Sequence, residues 1–323
     1  MDVSRERLRL LDLPVFSSID ELANLIHISK GRLGLLYYRT DKFYKKYKIP
    51  KRNKGMRLIY QPSKELKSVQ AWILRNVLDK LKPSPHATAF IKGKGLAYNV
   101  LPHRNNRYFI TIDIENFFPS VSVKRILRLF NLIGYSDNAA YILTKLCTCD
   151  GKLPQGGVTS PALSNLVLHR LDRRLSGLTS RRNIVYTRYA DDMIFSSNNR
   201  TVLNKSLKLF LNIIASEGFK PNPAKIKVMG PKIHCGITGL TKNSSEPQFG
   251  IGKNKKREMR AIMYSFIKNG YTESKFNSFA SINGWLSYIK SIDENSFKQM
   301  NKYWLALQAP VKMQPTVSNE DKI

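Results

Sequence analysis

Apolar residues recur along the chain with the spacing of helices in some segments and of strands in others. Over residues 63–81 they return every three or four positions, which predicts a helix that the prolines at 83 and 85 end. Its apolar face consists of Leu66, Val69, Ile73, Val77 and Leu81. Similar spacing predicts helices over 123–132, 138–147 and 202–216. A further helix is predicted to begin at about residue 161, and most of 250–309 is predicted to be helical.

A second pattern, alternation of apolar and polar residues, predicts strands. Ile110, Ile112 and Ile114 alternate with polar residues over 108–115. Residues 184–195 alternate on both sides of Asp191 and Asp192, which predicts a hairpin with both aspartates at its tip. Residues 43–60 predict two further strands around a basic turn. The order of these elements predicts an α+β fold with a small antiparallel sheet and helical insertions.

The net charge of the chain indicates a polyanionic binding partner. The chain has 54 Lys and Arg against 23 Asp and Glu, a formal net charge of +31. Such an excess repels itself in a folded protein, so nucleic acid is the expected partner. The basic residues are spread along the whole chain, which favours an extended channel over a disordered arm. A merely solvated basic surface is the alternative.

Other features limit where the protein acts. We expect no membrane-spanning helix, because no run of about 18 apolar residues occurs, and no signal peptide, because the first residues lack an apolar core. Cys147, Cys149 and Cys235 lack the spacing of a disulfide framework or a zinc site. We therefore interpret them as reduced packing residues and expect a cytoplasmic protein.

The acidic residues inside the strand patterns are the candidates for chemistry. Asp113 lies on the polar side of its strand, 78 residues before Asp191, and pairing of the two strands would bring Asp113, Asp191 and Asp192 together. Three clustered carboxylates repel each other unless cations neutralise them. Mg²⁺ prefers such oxygen ligands, and two ions can stabilise both reacting oxygens in phosphoryl transfer. Alone, however, an Asp-Asp pair is also common in turns.

Three motifs in order resemble the palm of reverse transcriptases: "DIENFF" from Asp113, "LPQGGVTSP" at 153–161 and "YADD" at 189–192. "RLIYQPSKELKSVQAWIL" resembles the fingers of bacterial members, and "GFKPNPAK" a downstream element, so the resemblance covers about residues 50–295. It implies a right-hand polymerase. We expect an N-terminal helical extension over 1–30, fingers over 31–105 and 122–152, palm over 106–121 and 153–236, an RNA-binding thumb over 237–312, and a disordered tail over 313–323.

The resemblance also implies roles for individual residues. Asp113 and Asp191 would be the principal ligands of two Mg²⁺ ions, or of Mn²⁺ as a substitute. Asp192 would complete the cluster, the carbonyl of Ile114 would bind a metal, and Lys225 would protonate the pyrophosphate leaving group as general acid.

Four residues would bind the incoming nucleotide: Arg57, Phe118, Gln155 and Gly156. Arg57 would contact the triphosphate, and Gln155 with Gly156 would position template and nucleotide. The ring of Phe118 would act as a steric gate that excludes a 2′-hydroxyl, which separates the chain from RNA replicases. A plain core aromatic is the alternative for Phe118.

Two short segments resemble elements of retron reverse transcriptases, "NVLPH" at 99–103 and "ITG" at 237–239, as does the thumb segment "GWLSYIKSID". RNA binding is therefore expected of the following residues: Asn99, His103, Thr238, Gly239, Lys253, Lys255, Lys256 and Arg257. The alternatives are a loop histidine, a simple turn and a solvated helix face.

A retron enzyme would take deoxynucleoside triphosphates and copy a cognate structured non-coding RNA into a 2′,5′-branched RNA–DNA product, the msDNA. Such enzymes commonly serve bacterial anti-phage defence together with a separate effector protein. The alternatives are an intron or diversity-generating reverse transcriptase, and an RNA-binding scaffold that has lost catalysis.

Overall fold

The computed structural model describes residues 3–51, 55–231, 236–242, 249–268 and 278–308. It forms two compact units, residues 1–233 and 234–323. This division lies close to the predicted boundary between palm and thumb at 236/237. The predicted tail over 313–323 and the prediction for Cys235 lie outside the described residues.

The first unit combines helices with two antiparallel sheets. Its helices are α1 (Val3–Leu10), α2 (Ile19–Leu25), α3 (Lys30–Tyr38), α4 (Lys64–Asn76), α5 (Leu96–Val100), α6 (Phe117–Ser120), α7 (Val123–Ile133), α8 (Asp137–Cys147), α9 (Ser160–Val167), α10 (His169–Ser180) and α11 (Arg200–Ser216). Its strands are β1 (Tyr44–Pro50), β2 (Met56–Pro62), β3 (Tyr108–Asp113), β4 (Val185–Tyr189), β5 (Asp192–Ser197) and β6 (Lys227–Met229). The predicted α+β class is confirmed.

The central sheet has the strand order β4–β5–β3–β6, with every neighbouring pair antiparallel. Helices α10 and α11 pack against it. On the covered side, the ring of Phe195 stacks on Phe210 of α11 at a centroid distance of 3.9 Å and on Tyr186 of β4 at 5.0 Å. Stacked aromatic rings bury a large apolar area at one point, so the middle of β5 is rigidly supported.

Strands β1 and β2 form a separate hairpin, as predicted, with Tyr44 paired to Pro62 at its base. Most of its side chains are exposed. Residues i and i+2 of a strand share a face, so Arg57 and Ile59 lie on the same side of this ribbon.

The helix predicted over 63–81 begins where expected but ends early. Ser63 caps α4 by accepting a hydrogen bond from the backbone N–H of Leu66. At Val77 the backbone leaves the helical region (φ −120°, ψ −60°), and a short 3₁₀ turn follows over Leu78–Lys80. The apolar spacing continues through this turn because Val77 and Leu78 are both buried.

The second unit contains a small sheet in the order β7 (Gly236–Ile237), β8 (Leu240–Lys242) and β9 (Phe249–Gly250). Helices α12 (Lys253–Lys268), α13 (Phe279–Lys290) and α14 (Glu294–Gln308) follow, which confirms the prediction that this region is mostly helical. Its buried residues include Met259, Met263 and Trp304. In either unit, none of the helices within the described ranges has the length and apolar character needed to cross a membrane.

Candidate active site

The two acidic motifs meet at one end of the central sheet. Asp113, the last residue of β3, pairs with Asp192, the first residue of β5. Asp191 lies in the turn between β4 and β5, and its carbonyl oxygen accepts a hydrogen bond from the N–H of Ile114 at 3.2 Å. Strand pairing thus brings together carboxylates that are 78 residues apart in sequence, as predicted.

The turn that presents Asp191 has an unusual backbone. Ala190 adopts a left-handed conformation with φ 57° at the first central position of the hairpin turn, where glycine is common. Such a conformation costs an L-residue roughly 1–2 kcal/mol. The carbonyl oxygen of Ala190 accepts a hydrogen bond from Nη1 of Arg188 at 3.0 Å, so a side chain of the preceding strand secures the turn.

Arg188 belongs to a fully buried ion pair with Asp172 of α10, both side chains being 0% exposed. Its Nε and Nη2 donate to the two carboxylate oxygens at 2.8 and 2.7 Å, and Nη1 also donates to Asn165 at 3.1 Å. The hydroxyl of Tyr186 donates to the same carboxylate at 2.8 Å. Sequence reasoning missed this support for the turn, because "HRLDRRL" resembles an ordinary solvated helix. The available signal was the single acid among its basic residues.

Electrostatics at the tip reflect burial and crowding of like charges. Burial, and secondly the charge of Asp113, raises the pKa of Asp191. Burial, together with the charges of Asp191 and Asp113, raises the pKa of Asp192 to about 6. Lys225 donates to both carboxylate oxygens of Asp113 at 3.0 and 2.8 Å, and this hydrogen bond raises the pKa of Lys225. Lys225 is therefore the cation that faces the cluster and stays protonated at neutral pH.

The donors of this cluster fit a hard divalent cation. Carboxylate oxygens are the ligands that Mg²⁺ prefers, and a bound cation would offset the burial and like-charge repulsion that raise the pKa values of Asp191 and Asp192. Among the described residues, the one group whose ligand atoms all lie within 4.8 Å of one another is a different set, Asp41, Cys149 and Asp150. There, however, Lys46 donates to Asp150 at 2.6 Å, and burial raises the pKa of the Cys149 thiol to about 12. These contacts favour an ion pair over a metal site.

The "LPQG" loop is attached to the β1–β2 hairpin. The N–H of Tyr60 donates to the carbonyl oxygen of Gln155 at 2.9 Å. Gly156 has φ 116°, and a side-chain carbon there would lie 2.7 Å from the carbonyl oxygen of Tyr60 and 3.3 Å from Cγ2 of Ile59. Only glycine allows this approach.

The remaining nucleotide candidates, Phe118 and Arg57, lie on α6 and on β2. Phe118 is half-buried on α6, with its ring centroid 5.1 Å from that of Phe117. Arg57 is exposed on β2 and lies on the same face of the hairpin as Ile59. The side chain of Ile59 in turn lies close to Gly156 in space. Phe118 follows Asp113 by five residues, whereas the "LPQG" loop and Arg57 belong to other segments of the first unit.

Comparison with known proteins identifies the arrangement. The model of the family "Reverse transcriptase (RNA-dependent DNA polymerase)" matches residues 49–262. The retron Ec86 reverse transcriptase of Escherichia coli is 37% identical over 299 residues, 92% of this chain and 91% of its relative. The chain belongs to the retron reverse transcriptases. It is therefore an RNA-directed DNA polymerase.

A second relative and a solved structure are also similar to this chain. The retron Mx65 reverse transcriptase of Myxococcus xanthus is 30% identical to this reverse transcriptase, covering 89% of it and 71% of the relative. A solved telomerase from Candida albicans, in complex with a fragment of telomeric RNA, aligns with a TM-score of 0.51 at 12% identity. That alignment covers 82% of this chain and 60% of the telomerase, and it supports the polymerase fold alone.

Asn99 and His103 of the reverse transcriptase, both predicted to bind RNA, lie inside the first unit. Both are fully buried. Nδ1 of His103 lies 2.6 Å from Oγ of Ser196 in β5, and Nε2 lies 2.8 Å from Oγ1 of Thr187 in β4. The Asn99 side chain accepts from Thr187 at 2.8 Å. Direct RNA contact by these two side chains stays a prediction, and in this structure both are enclosed against the catalytic hairpin and join its strands.

The other predicted RNA-binding residues lie in the second unit. Thr238 and Gly239 form the turn between β7 and β8, both with positive φ, 46° and 84°. The basic residues lie on α12, where Lys253 and Arg257 are exposed. Lys255 already contacts the ring of Trp285 at 4.5 Å and pairs with Glu258 at 2.9 Å. Lys256 lies 4.0 Å from a carboxylate oxygen of Asp293, so Lys253 and Arg257 are the two exposed basic residues of this set.

Proposed function

We propose that this reverse transcriptase holds two Mg²⁺ ions on Asp113, Asp191 and Asp192 and extends DNA on its cognate RNA. The observation that carries the proposal is the register of Asp113 with Asp192 across neighbouring strands, with Asp191 in the adjoining turn. The raised pKa values of Asp191 and Asp192 support it, since burial and the neighbouring carboxylates outweigh the charge of Lys225 and disfavour the ionised acids. Bound Mg²⁺ would neutralise phosphate charge as the new bond forms.

The chain's own residues would position and protonate the nucleotide. Gly156 lets the "LPQG" backbone lie against β2, and Arg57 on that ribbon would take the triphosphate. The half-buried ring of Phe118 would lie under the sugar and exclude a 2′-hydroxyl. Lys225 stays protonated through its contact with Asp113, as a general acid for the pyrophosphate must.

We further propose that the enzyme copies part of a cognate structured non-coding RNA into a 2′,5′-branched msDNA in the bacterial cytoplasm, within an anti-phage defence system that includes a separate effector. The 37% identity to a retron reverse transcriptase over 92% of the chain supports this choice. The net charge of +31 suits the binding of a folded RNA through its phosphates.

The test is to sequence the nucleic acid that copurifies with the enzyme expressed together with its neighbouring genomic region. We expect one RNA species joined to DNA, with a junction that a 2′,5′-debranching enzyme cleaves. The Asp191→Asn variant is the matched control and should retain the RNA without DNA. RNA and DNA without a 2′,5′ junction would contradict the retron product and favour another bacterial reverse transcriptase. RNA alone with the wild-type enzyme would favour a silent scaffold.

A further inference from the structure

Phe90 is an exposed aromatic residue in a strained backbone. It has φ 60°, and 48% of its surface is accessible. Bulky residues rarely adopt this left-handed conformation, and such strain persists only where the surrounding structure imposes it. Burial in the free protein repays little of that strain, because half of the residue remains in water.

The segment before Phe90 is bound to the catalytic hairpin. The N–H of Arg188 donates to the carbonyl oxygen of His86 at 2.8 Å, and the N–H of Thr88 donates to that of Arg188 at 2.8 Å. The side chain of Asn165 donates to the carbonyl oxygen of Ala89 at 2.8 Å. Arg188 also donates to the carbonyl oxygen of Ala190 in the turn that contains Asp191, and Asn165 accepts a hydrogen bond from Arg188. The same network therefore fixes the position of Phe90 and that of the catalytic carboxylates.

The ring of Phe90 lies beside the proposed gate. Its centroid is 6.3 Å from that of Phe118, with the rings tilted by 46°. Phe118 in turn lies against the buried Phe117 at 5.1 Å. Phe118 therefore contacts one buried ring, Phe117, and one exposed ring, Phe90. Aromatic pairs at this separation favour defined mutual orientations.

We propose that Phe90 is a positioning residue for sugar selection. Its ring limits the orientations open to Phe118 from the solvent side, as Phe117 does from the core, and so holds the gate against the incoming sugar. Without it, the ring of Phe118 swings outward and a 2′-hydroxyl fits. This inference rests on the gate role proposed for Phe118.

The experiment measures kcat/KM for a deoxynucleotide and for the matching ribonucleotide in primer extension on RNA. Phe90→Gly removes the ring and also the backbone strain, because glycine adopts positive φ freely. We expect the preference for the deoxynucleotide to fall about tenfold, equivalent to about 1.4 kcal/mol, while the melting temperature stays constant or rises. Phe90→Tyr keeps the ring and should keep the preference. Asn183→Gly, at another exposed residue with φ 52°, controls for strain relief alone.

Phe118→Val, measured alongside, separates the two hypotheses. If Phe118→Val loses the preference and Phe90→Gly retains it, the inference is wrong and the gate stands. If Phe118→Val itself retains the preference, the gate role fails and the inference with it. Should Phe90→Gly not fold, Phe90→Leu is read in the same way, since it also removes the ring.

Discussion

Asp192 illustrates how the catalytic cluster opposes folding when no metal is bound. Its pKa is raised to about 6 from an ordinary 3.8, mainly by burial. The folded protein therefore holds a proton on Asp192 between about pH 4 and 6, whereas the unfolded chain does not. Stability falls as the pH rises through this window, and the loss is complete above about pH 6. Replacing Asp192 by Asn removes a charge that the metal-free fold disfavours.

The magnitude follows from the shift. A change of about two pKa units at roughly 1.4 kcal/mol each gives an upper limit of about 3 kcal/mol. Partial solvent screening reduces this to about 1–3 kcal/mol. In a domain of this size, the melting temperature rises by about 2–4 °C per kcal/mol. Metal-free Asp192→Asn should thus melt several degrees above the wild type at pH 8 and show little difference below pH 4.

The assay is thermal or urea unfolding in EDTA at pH 4, 6 and 8, with Asp79→Asn, an exposed Asp, as the matched control. Adding Mg²⁺ at pH 8 should stabilise the wild type and reverse the order of the two proteins. The reasoning is refuted if Asp192→Asn is less stable than the wild type at pH 8 in EDTA, or if the difference does not depend on pH.

Three further predictions concern the supports of the site. Asp172→Asn leaves the buried Arg188 without its carboxylate and should lower the free energy of unfolding, measured in urea, by about 3–5 kcal/mol. Glu294→Gln, in an exposed ion pair, is the control and should lower it by less than about 1 kcal/mol. An equally small loss for Asp172→Asn would contradict the prediction. Gly156→Ala should lower the melting temperature more than Gly93→Ala does. Both glycines have positive φ, but only at Gly156 would the added Cβ lie 2.7 Å from a backbone atom, the carbonyl oxygen of Tyr60. Equal melting temperatures of the two variants would argue against this clash. His103→Ala should lower the melting temperature and leave the Kd for RNA within about twofold, since the ring is buried against Thr187 of β4 and Ser196 of β5. Weaker RNA binding at unchanged stability would favour direct contact with RNA.

Sequence patterns predicted the parts of the site that depend on strand pairing. Alternation around Ile110 and Ile112 indicated a strand ending at Asp113, and the interruption at Asp191 and Asp192 indicated a hairpin tip. Antiparallel neighbours then bring these ends together, as β3 and β5 do. The resemblance of "GFKPNPAK" to the downstream element of reverse transcriptases likewise led to Lys225, which contacts Asp113.

Contacts between distant side chains were not predictable in this way. Asp172 stands out as the single acid in a basic helix pattern, but the pattern does not indicate that its partner is the buried Arg188. His103 lies in the short motif "NVLPH", whose sequence does not indicate that the ring contacts Thr187 and Ser196. The positive φ of Phe90 has no sequence signal, because residues with such rings seldom adopt it.

The most direct test of the metal site is RNA-templated primer extension with purified protein and Mg²⁺, comparing the wild type with Asp191→Asn. Asp79→Asn serves again as the exposed control. Loss of one carboxylate removes several kcal/mol of transition-state stabilisation, so we predict that Asp191→Asn lowers the rate of deoxynucleotide incorporation about a thousandfold or more. Folding is checked by an unchanged or higher melting temperature in EDTA. Incorporation by Asp191→Asn at the wild-type rate would contradict the assignment of Asp113, Asp191 and Asp192 as the catalytic centre.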